Sequence, residues 1–570
     1  MNFFRVSEGK LHWIRTALLL GWATIILSMF WDPITPHFTN PIAIGSPFRL
    51  NPDIYLNVDR CVKIRTDCIL EQPFSLGTLL WWAAIVPAAI LILLVLGHEF
   101  WRRICPLSFV SQIPRALGIQ RTRKLIDPIS GEIRREPVII NENSWLGKNH
   151  LIVQFGLFIL GLWARLVFVN GHRFTLGCFL IATIISAIVV GYLYAGKSWC
   201  QYFCPMAPVQ MVYTGPRALF GSKAHLQPRG TVTQSMCRTV GTDGVEQSAC
   251  VGCKRSCIDT DSENTYWTEL NKPGRKLIQY GYLGMVLAFY WYFYLYAGNW
   301  NYYFSGAWAH EETLLDRLLD PGFYISGVAV PIPKIIAPLL LFAVTVTATY
   351  SLGIWLEKQY RSYRRRCQQP VSKEQAQHVI FSLFTVVSFW AFFVFGSRPT
   401  LNRFPMIVPA INVVIVIVGI LWLLKTINRK RAHYDRERTS IMLRRQLHHF
   451  DLPDSWLDGR SIEDLSADEV HLLIKASHGS RIQAYLGVVQ ELLEQGVIEA
   501  SDSLHFCRNL RQSLGLSDGD HQDVIRQIPS HLLYRIPAPQ PVSTQTATVV
   551  FKDRQRPTST ALQTVPYQRK

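Results

Sequence analysis

CQYFCPMAPVQ, from Cys200 to Gln210, begins where a long apolar run ends. Two thiols with three residues between them, the second followed by proline, sit where a helix leaves the run. A second Cys-Pro, Cys105-Pro106, follows another such run. Crossing a bilayer takes about 20 apolar residues. By that measure eight runs qualify: Leu11–Trp31, Leu76–Leu96, Leu151–Val169, Phe174–Gly196, Leu277–Ala297, Ile335–Trp355, Val379–Phe395 and Met406–Leu424. The first is followed by Asp32-Pro33 without a small-residue cleavage site, so it reads as a retained span and not a signal peptide.

Composition agrees. Hydrophobic residues make up 49% of the 570 and charged residues 17%, low beside the roughly 25% of soluble domains. The formal net charge is +18, and no nucleic-acid motif accompanies it. Lys and Arg lie in the loops instead. The loops His98–Gly147, Lys197–Lys276 and Leu356–His378 carry eight, ten and six; the alternate loops, beginning at Asp32, Gly171, Gly298 and Ser397, carry four, one, two and two. The positive-inside rule then makes the heavy side cytoplasmic and places both termini there. A prokaryotic inner or thylakoid membrane, with lipid as partner, is the expected setting.

Seven of the 12 cysteines fall in the two largest cytoplasmic loops: Cys105, Cys200, Cys204, Cys237, Cys250, Cys253 and Cys257. A reducing cytoplasm disfavours disulfides, so clustered thiols there suggest metal. CVGCKRSC, Cys250–Cys257, has the spacing C-x2-C-x3-C. A cubane iron–sulfur cluster takes four thiolates, often three close in sequence and one remote, the last commonly followed by proline. Cys204 fits the remote ligand. Cys105, Cys200 and Cys237 would serve a second cluster or shield the first. A structural zinc on four of these thiols is the competing reading, and a dithiol pair at Cys200 and Cys204 is weaker, because redox pairs are spaced by two residues. Cys178, Cys367 and Cys507 read as single buried thiols.

GHEFWRRICPLSFVSQIPR (Gly97–Arg115), WCQYFCPMAPVQMVYTGPR (Trp199–Arg217) and SACVGCKRSCIDTDSENTYW (Ser248–Trp267) together resemble membrane-bound polyferredoxins. These include the quinol-linked accessory proteins of periplasmic nitrate and nitrous-oxide reduction and the cytochrome oxidase assembly ferredoxin. The resemblance covers about Leu76 to Trp267. It implies several spans joined to [4Fe-4S] clusters on the cytoplasmic side, with Cys-Pro at span ends. The chain departs from that pattern: its compact motif has three cysteines, and Ile258 stands where proline would follow. Seven thiols are one short of two all-cysteine clusters. Asp259 and Asp261 are the nearby oxygen candidates, solvated acids being the simpler reading. No FMN-attachment motif is present.

The remaining polar residues carry less. Six residues separate Cys61 from Cys68, which permits a disulfide or two separate thiols. His98 and His150 stand at span ends, where capping or interfacial roles outrank haem ligation. Arg15 and Arg165, near span ends, are expected to snorkel, an intramembrane ion site being the sharper reading of Arg165. NWNYYFSGAWAH, Asn299–His310, reads as an aromatic outer belt. A quinone among the spans is compatible with the sequence, which carries no motif for it.

After Arg431 the composition changes. Ser466-x-x-Glu469 is a capping box before an apolar run. Helical periodicity follows at 480–495, 501–514 and 517–527, as in Tyr485, Val488, Val489 and Leu492. The chain from 537 to 570 is rich in Pro, Thr and Gln and reads as a disordered tail. The expected architecture is an all-α polytopic membrane protein of about eight helices. Residues 1–430 form the membrane domain, with a ferredoxin-like iron–sulfur loop at 197–277. Residues 431–535 form a small cytoplasmic helical bundle, and the tail is 536–570. The expected function is electron transfer through one [4Fe-4S] cluster, or two, with Lys254 and Arg255 inviting an acidic redox partner such as ferredoxin or a reductase complex. A redox sensor or assembly factor signalling through the C-terminal domain is the alternative. A transporter with a zinc-stapled loop is the third reading.

Overall fold

The computed structural model describes residues 8–50, 62–65, 67–69, 72–126, 133–221, 238–240, 246–248, 250–254, 257–259, 261–311, 315–448, 461–462, 465–475, 478–494 and 501–528. Cys61, Cys237, Arg255 and the tail from 536 lie outside the described residues, as does the Cys68 side chain. The chain divides into two compact units between Arg438 and Thr439.

Among the described residues, seven helices of the first unit are long and apolar enough to cross a membrane: α1 (Gly9–Phe30), α2 (Gly77–Val95), α3 (Trp145–Val169), α4 (Arg173–Leu193), α6 (Ala337–Arg366), α7 (Lys373–Leu401) and α8 (Val408–Ile427). Those are the helices an α-helical polytopic membrane protein requires. Val344, Ile185 and Leu424 point outward from three of them, which suits side chains facing lipid. The sequence reading expected an eighth span at Leu277–Ala297. That stretch is a 25-residue helix, α5 (Pro273–Ala297), about 37 Å long at helical rise. It falls outside the apolar set because tyrosines recur along it.

Helix α5 packs against α3, α6 and α7, and most of its side chains are buried. Its polar groups meet polar partners: the Tyr280 hydroxyl donates to Glu357, and Lys276 pairs with the same carboxylate at 2.8 Å. Close approach to α6 needs a small residue, as at many membrane helix crossings. A Cβ on Gly284 would stand 2.5 Å from the Thr345 carbonyl oxygen.

Among the described residues, four two-stranded antiparallel hairpins interrupt the helices. One of them matters below: Thr122–Ile126 with Ile133–Pro137.

Two sequence expectations fail here for one reason: polar residues turn inward to meet partners remote in sequence. Arg165 does not snorkel. It is buried, its guanidinium 3.9 Å from the Trp82 ring centre and 4.5 Å from Phe289, with Nε donating to Asn170 Oδ1 at 2.9 Å. Arg15 is buried too and donates to the Arg103 carbonyl at 3.0 Å. The Asn299–His310 stretch is not simply an outer belt. Tyr302, Tyr303 and Trp308 are buried, and Tyr302 donates to buried Glu311.

In the second unit, helices Ala467–Lys475, His478–Glu494, Ser501–Leu514 and Asp518–Gln527 surround their own apolar core, including Leu443, Tyr485, Val488, Leu492 and Leu510. The Ser466 hydroxyl accepts from the Glu469 amide at 3.3 Å, and the Glu469 carboxylate accepts from the Ser466 amide at 2.6 Å. Both halves of the capping box are therefore made.

Candidate functional site

Three segments far apart in sequence meet at one end of the bundle. Helix Gly97–Ile104 follows α2 and ends at Cys105, whose backbone turns extended before Pro106. The π-helical turn Trp199–Phe203 follows α4 and ends at Cys204 in the same way. Proline disfavours helix at the residue before it, which gives both cysteines their common backbone turn. The third segment is the loop carrying Cys250, Cys253 and Cys257, which leads into helix Ser262–Glu269.

Gly196 lets the loop approach. Its φ is +68°, a conformation glycine adopts at no steric cost, and a Cβ there would stand 2.8 Å from Cys253 Cβ and 3.0 Å from its Sγ. From the adjoining turn, the Tyr202 hydroxyl donates to the Cys253 carbonyl at 3.1 Å. Gln201 Nε2 donates to Cys257 Sγ at 3.3 Å.

A buried ion cluster joins all three segments. Asp259, two residues past Cys257, accepts from Arg102 Nη1 at 2.7 Å and lies 3.6 Å from Lys197 Nζ. Gln201 donates to the same carboxylate oxygen at 3.4 Å. Arg102 also donates to Gln210 Oε1 at 3.2 Å and to the Cys200 carbonyl at 3.3 Å. His98 Nε2 donates to the Ile258 carbonyl. Burial alone would raise the Asp259 carboxyl; Arg102, Lys197 and His98 outweigh it and hold the group at about 2. Burial, followed by the Arg102 charge, lowers His98 to about 3. Asp259 is thus not the solvated acid expected from sequence, and His98 is a buried tie and not an interfacial cap.

A second set of charges flanks Cys253. Lys254 is buried and donates to Glu269 Oε1 at 2.8 Å, with His150 Nε2 at 3.2 Å from the same ammonium. Lys254 is therefore an internal counter-ion, not the surface charge that an acidic carrier would meet. His150 is likewise interior. Asp261 caps helix Ser262–Glu269 by accepting from the Asn264 amide at 3.0 Å, and it accepts from the Tyr434 hydroxyl at 2.7 Å. Both acids proposed as spare ligands are engaged elsewhere.

The thiols fall into two groups. Cys105, Cys200 and Cys204 are electrostatic neighbours. Burial, with the neighbouring Cys200 next in weight, pushes the Cys105 thiol up to about 11 and the Cys204 thiol higher still. Cys253 and Cys257 lie on the Gln201 and Tyr202 side, and Cys250 is exposed. Among the described residues, no three Cys, His, Asp or Glu side chains converge as a metal site. The donor chemistry suits a soft metal centre, but the side chains as placed do not form a closed ligand cage. Cys178 and Cys367 are exposed and Cys507 half-buried, which corrects the expectation of three buried thiols.

Sequence reasoning found the cysteines and missed what holds them. Gly196, Lys197, Gln201 and Arg102 all lie within four residues of a motif cysteine; that proximity was the only available signal. No protein-family profile matches this chain, and no curated protein or solved structure matches it either.

Proposed function

We propose that the chain is a membrane-bound iron–sulfur electron-transfer protein, passing electrons between a quinone pool or soluble ferredoxin and a partner protein. One observation carries the reading: a buried ion cluster centred on Asp259 draws two Cys-Pro turns and the C-x2-C-x3-C loop to one end of an apolar helix bundle. Thiol-bearing segments that meet from three remote parts of the sequence are what a remote-plus-local ligand set needs. Cys250, Cys253, Cys257 and Cys204 would hold the [4Fe-4S] group, which supplies one-electron chemistry when bound. Cys105, Cys200 and Cys237 would serve a second cluster or shield the first. At Cys105 and Cys204 the Arg102 charge works towards the thiolate, against the burial that favours the thiol.

The test is anaerobic purification of the full chain with iron, acid-labile sulfide and zinc analysis. About four or eight irons per chain support the reading. A colourless protein with stoichiometric zinc and no sulfide replaces it with a structural metal loop. The second compact unit favours one further reading, a redox sensor or assembly factor that signals through residues 439–528. Quinol oxidation by membranes holding the full chain separates relay from sensor. Cytoplasmic termini belong to the same proposal, and reporter fusions at Gly241 and Lys570 test them.

A further inference from the structure

The hairpin between α2 and α3 stands apart from the core. Strands Thr122–Ile126 and Ile133–Pro137 pair with Lys124 directly opposite Arg135 and Arg123 opposite Glu136. Arg123 and Glu136 form an exposed ion pair at 3.7 Å. Strand alternation puts Lys124 and Arg135 on the other face. Both are exposed, and among the described residues neither pairs with an acid. Like charges directly opposite destabilise a strand pair, and a lone two-stranded ribbon is marginal to begin with. Ile133, two residues before Arg135, shares that face and is 63% exposed.

The ribbon is rooted at the end of a spanning helix. The Arg121 amide donates to the Tyr192 carbonyl at 2.9 Å, and the Ala195 amide donates to the Val138 carbonyl at 2.8 Å. Gln120 Nε2 donates to the Gly191 carbonyl at 2.9 Å. The ribbon therefore starts where α4 leaves the apolar layer. Leu117 and Ile119, just before it, are also exposed.

We propose that the Lys124–Arg135 face binds the phosphate headgroup of an anionic lipid. A phosphate oxygen between the two cations removes their repulsion, while Ile133 enters the headgroup–acyl boundary, as apolar side chains of interfacial segments do. An acidic soluble protein would meet the cations but leave Leu117, Ile119 and Ile133 in water. The site is independent of the cysteines and of any cofactor.

The experiment is amide hydrogen exchange over 122–126 and 133–137, with the full chain in nanodiscs of phosphatidylcholine alone or with phosphatidylglycerol. Phosphatidylglycerol is expected to slow exchange in both strands, and high salt to reverse the slowing. Lys124→Gln and Arg135→Gln should each raise the phosphatidylglycerol content needed for half-maximal protection about fivefold. Arg135→Glu, which gives Lys124 an opposite charge, should slow exchange in pure phosphatidylcholine. Equal exchange of the wild-type ribbon in the two nanodiscs overturns the proposal. So does equal slowing by inorganic phosphate in phosphatidylcholine nanodiscs, or a slowing that appears only when an acidic carrier protein is added.

Discussion

Asp259 and Arg102, 157 residues apart, meet at 2.7 Å with both side chains almost wholly buried. The pair ties the loop after Cys257 to the helix that ends at Cys105. Breaking a buried pair by removing one partner costs about 3–5 kcal/mol, because the other charge is left uncompensated. Asp259→Ala should therefore lower the thermal midpoint and loosen the loop. Alkylation of Cys257, followed by mass spectrometry, should accelerate, while exposed Cys367 reacts as before. Unchanged Cys257 reactivity would show that the ion cluster does not hold the loop.

Gly196→Ala tests the same assembly from the other side. The new Cβ would press on Cys253 at 2.8 Å, and φ of +68° disfavours alanine by about 1–2 kcal/mol. Cys253 should become more reactive toward alkylating agents with little change at Cys105, which another segment carries. If both thiols change together, the loop and the Cys-Pro turns move as one body.

How far the sequence could be read follows from these pairs. Seven spans were legible because lipid imposes a local rule, a long run of apolar residues, which any window detects. The cysteines were legible by type and spacing. Arg102 with Asp259, and Arg165 between Trp82 and Phe289, were not, since local periodicity says nothing about partners more than eighty residues away. The helix α5 was legible as an apolar run, but the partners of its tyrosines were not: a phenol lowers hydropathy, yet it buries well when a carboxylate such as Glu357 or Glu311 waits beside it.

His310 predicts an acid-sensitive stability. It stacks on Phe74 at 3.9 Å between ring centres, and burial, aided by Arg403, lowers it to about 3. An unfolded histidine titrates at about 6.5. Between these values the unfolded chain binds the extra proton, so stability rises with pH, by about 1.4 kcal/mol per unit for one such group. Thermal midpoints should fall as pH drops from about 6.5 towards 3. His310→Phe should flatten that slope. An unaltered slope in the variant would assign the acid sensitivity to other groups.

The second unit carries its own core, so residues from Ala432 to Leu533 should fold alone. Circular dichroism of the fragment should be helical with a cooperative melt. Leu510→Ala, at a side chain 1% exposed, should cost about 2–5 kcal/mol. Ser466→Ala, which removes one half of the capping box, should cost about 0.5–2 kcal/mol. Random-coil spectra from the fragment would show that the unit depends on the rest of the chain.

The cysteines themselves should separate into ranks. Losing one thiolate from a local triad releases the group the triad holds, since each ligand carries a large share of the binding free energy. Cys250→Ala, Cys253→Ala and Cys257→Ala should each remove the same electron paramagnetic resonance signal. Cys204→Ala should do so as well if it is the remote fourth ligand. Cys178→Ala and Cys367→Ala should leave the signal, because both thiols are exposed and belong to neither group at the bundle end. Cys507→Ala should also leave it, as that residue belongs to the second unit's core. Cys105 and Cys200 decide the count. They neighbour Cys204, so a second signal lost with either, while the first survives, means two clusters. Full signal in the triad variants would instead move the ligand set to Cys105, Cys200 and Cys204, with the loop cysteines as their cover.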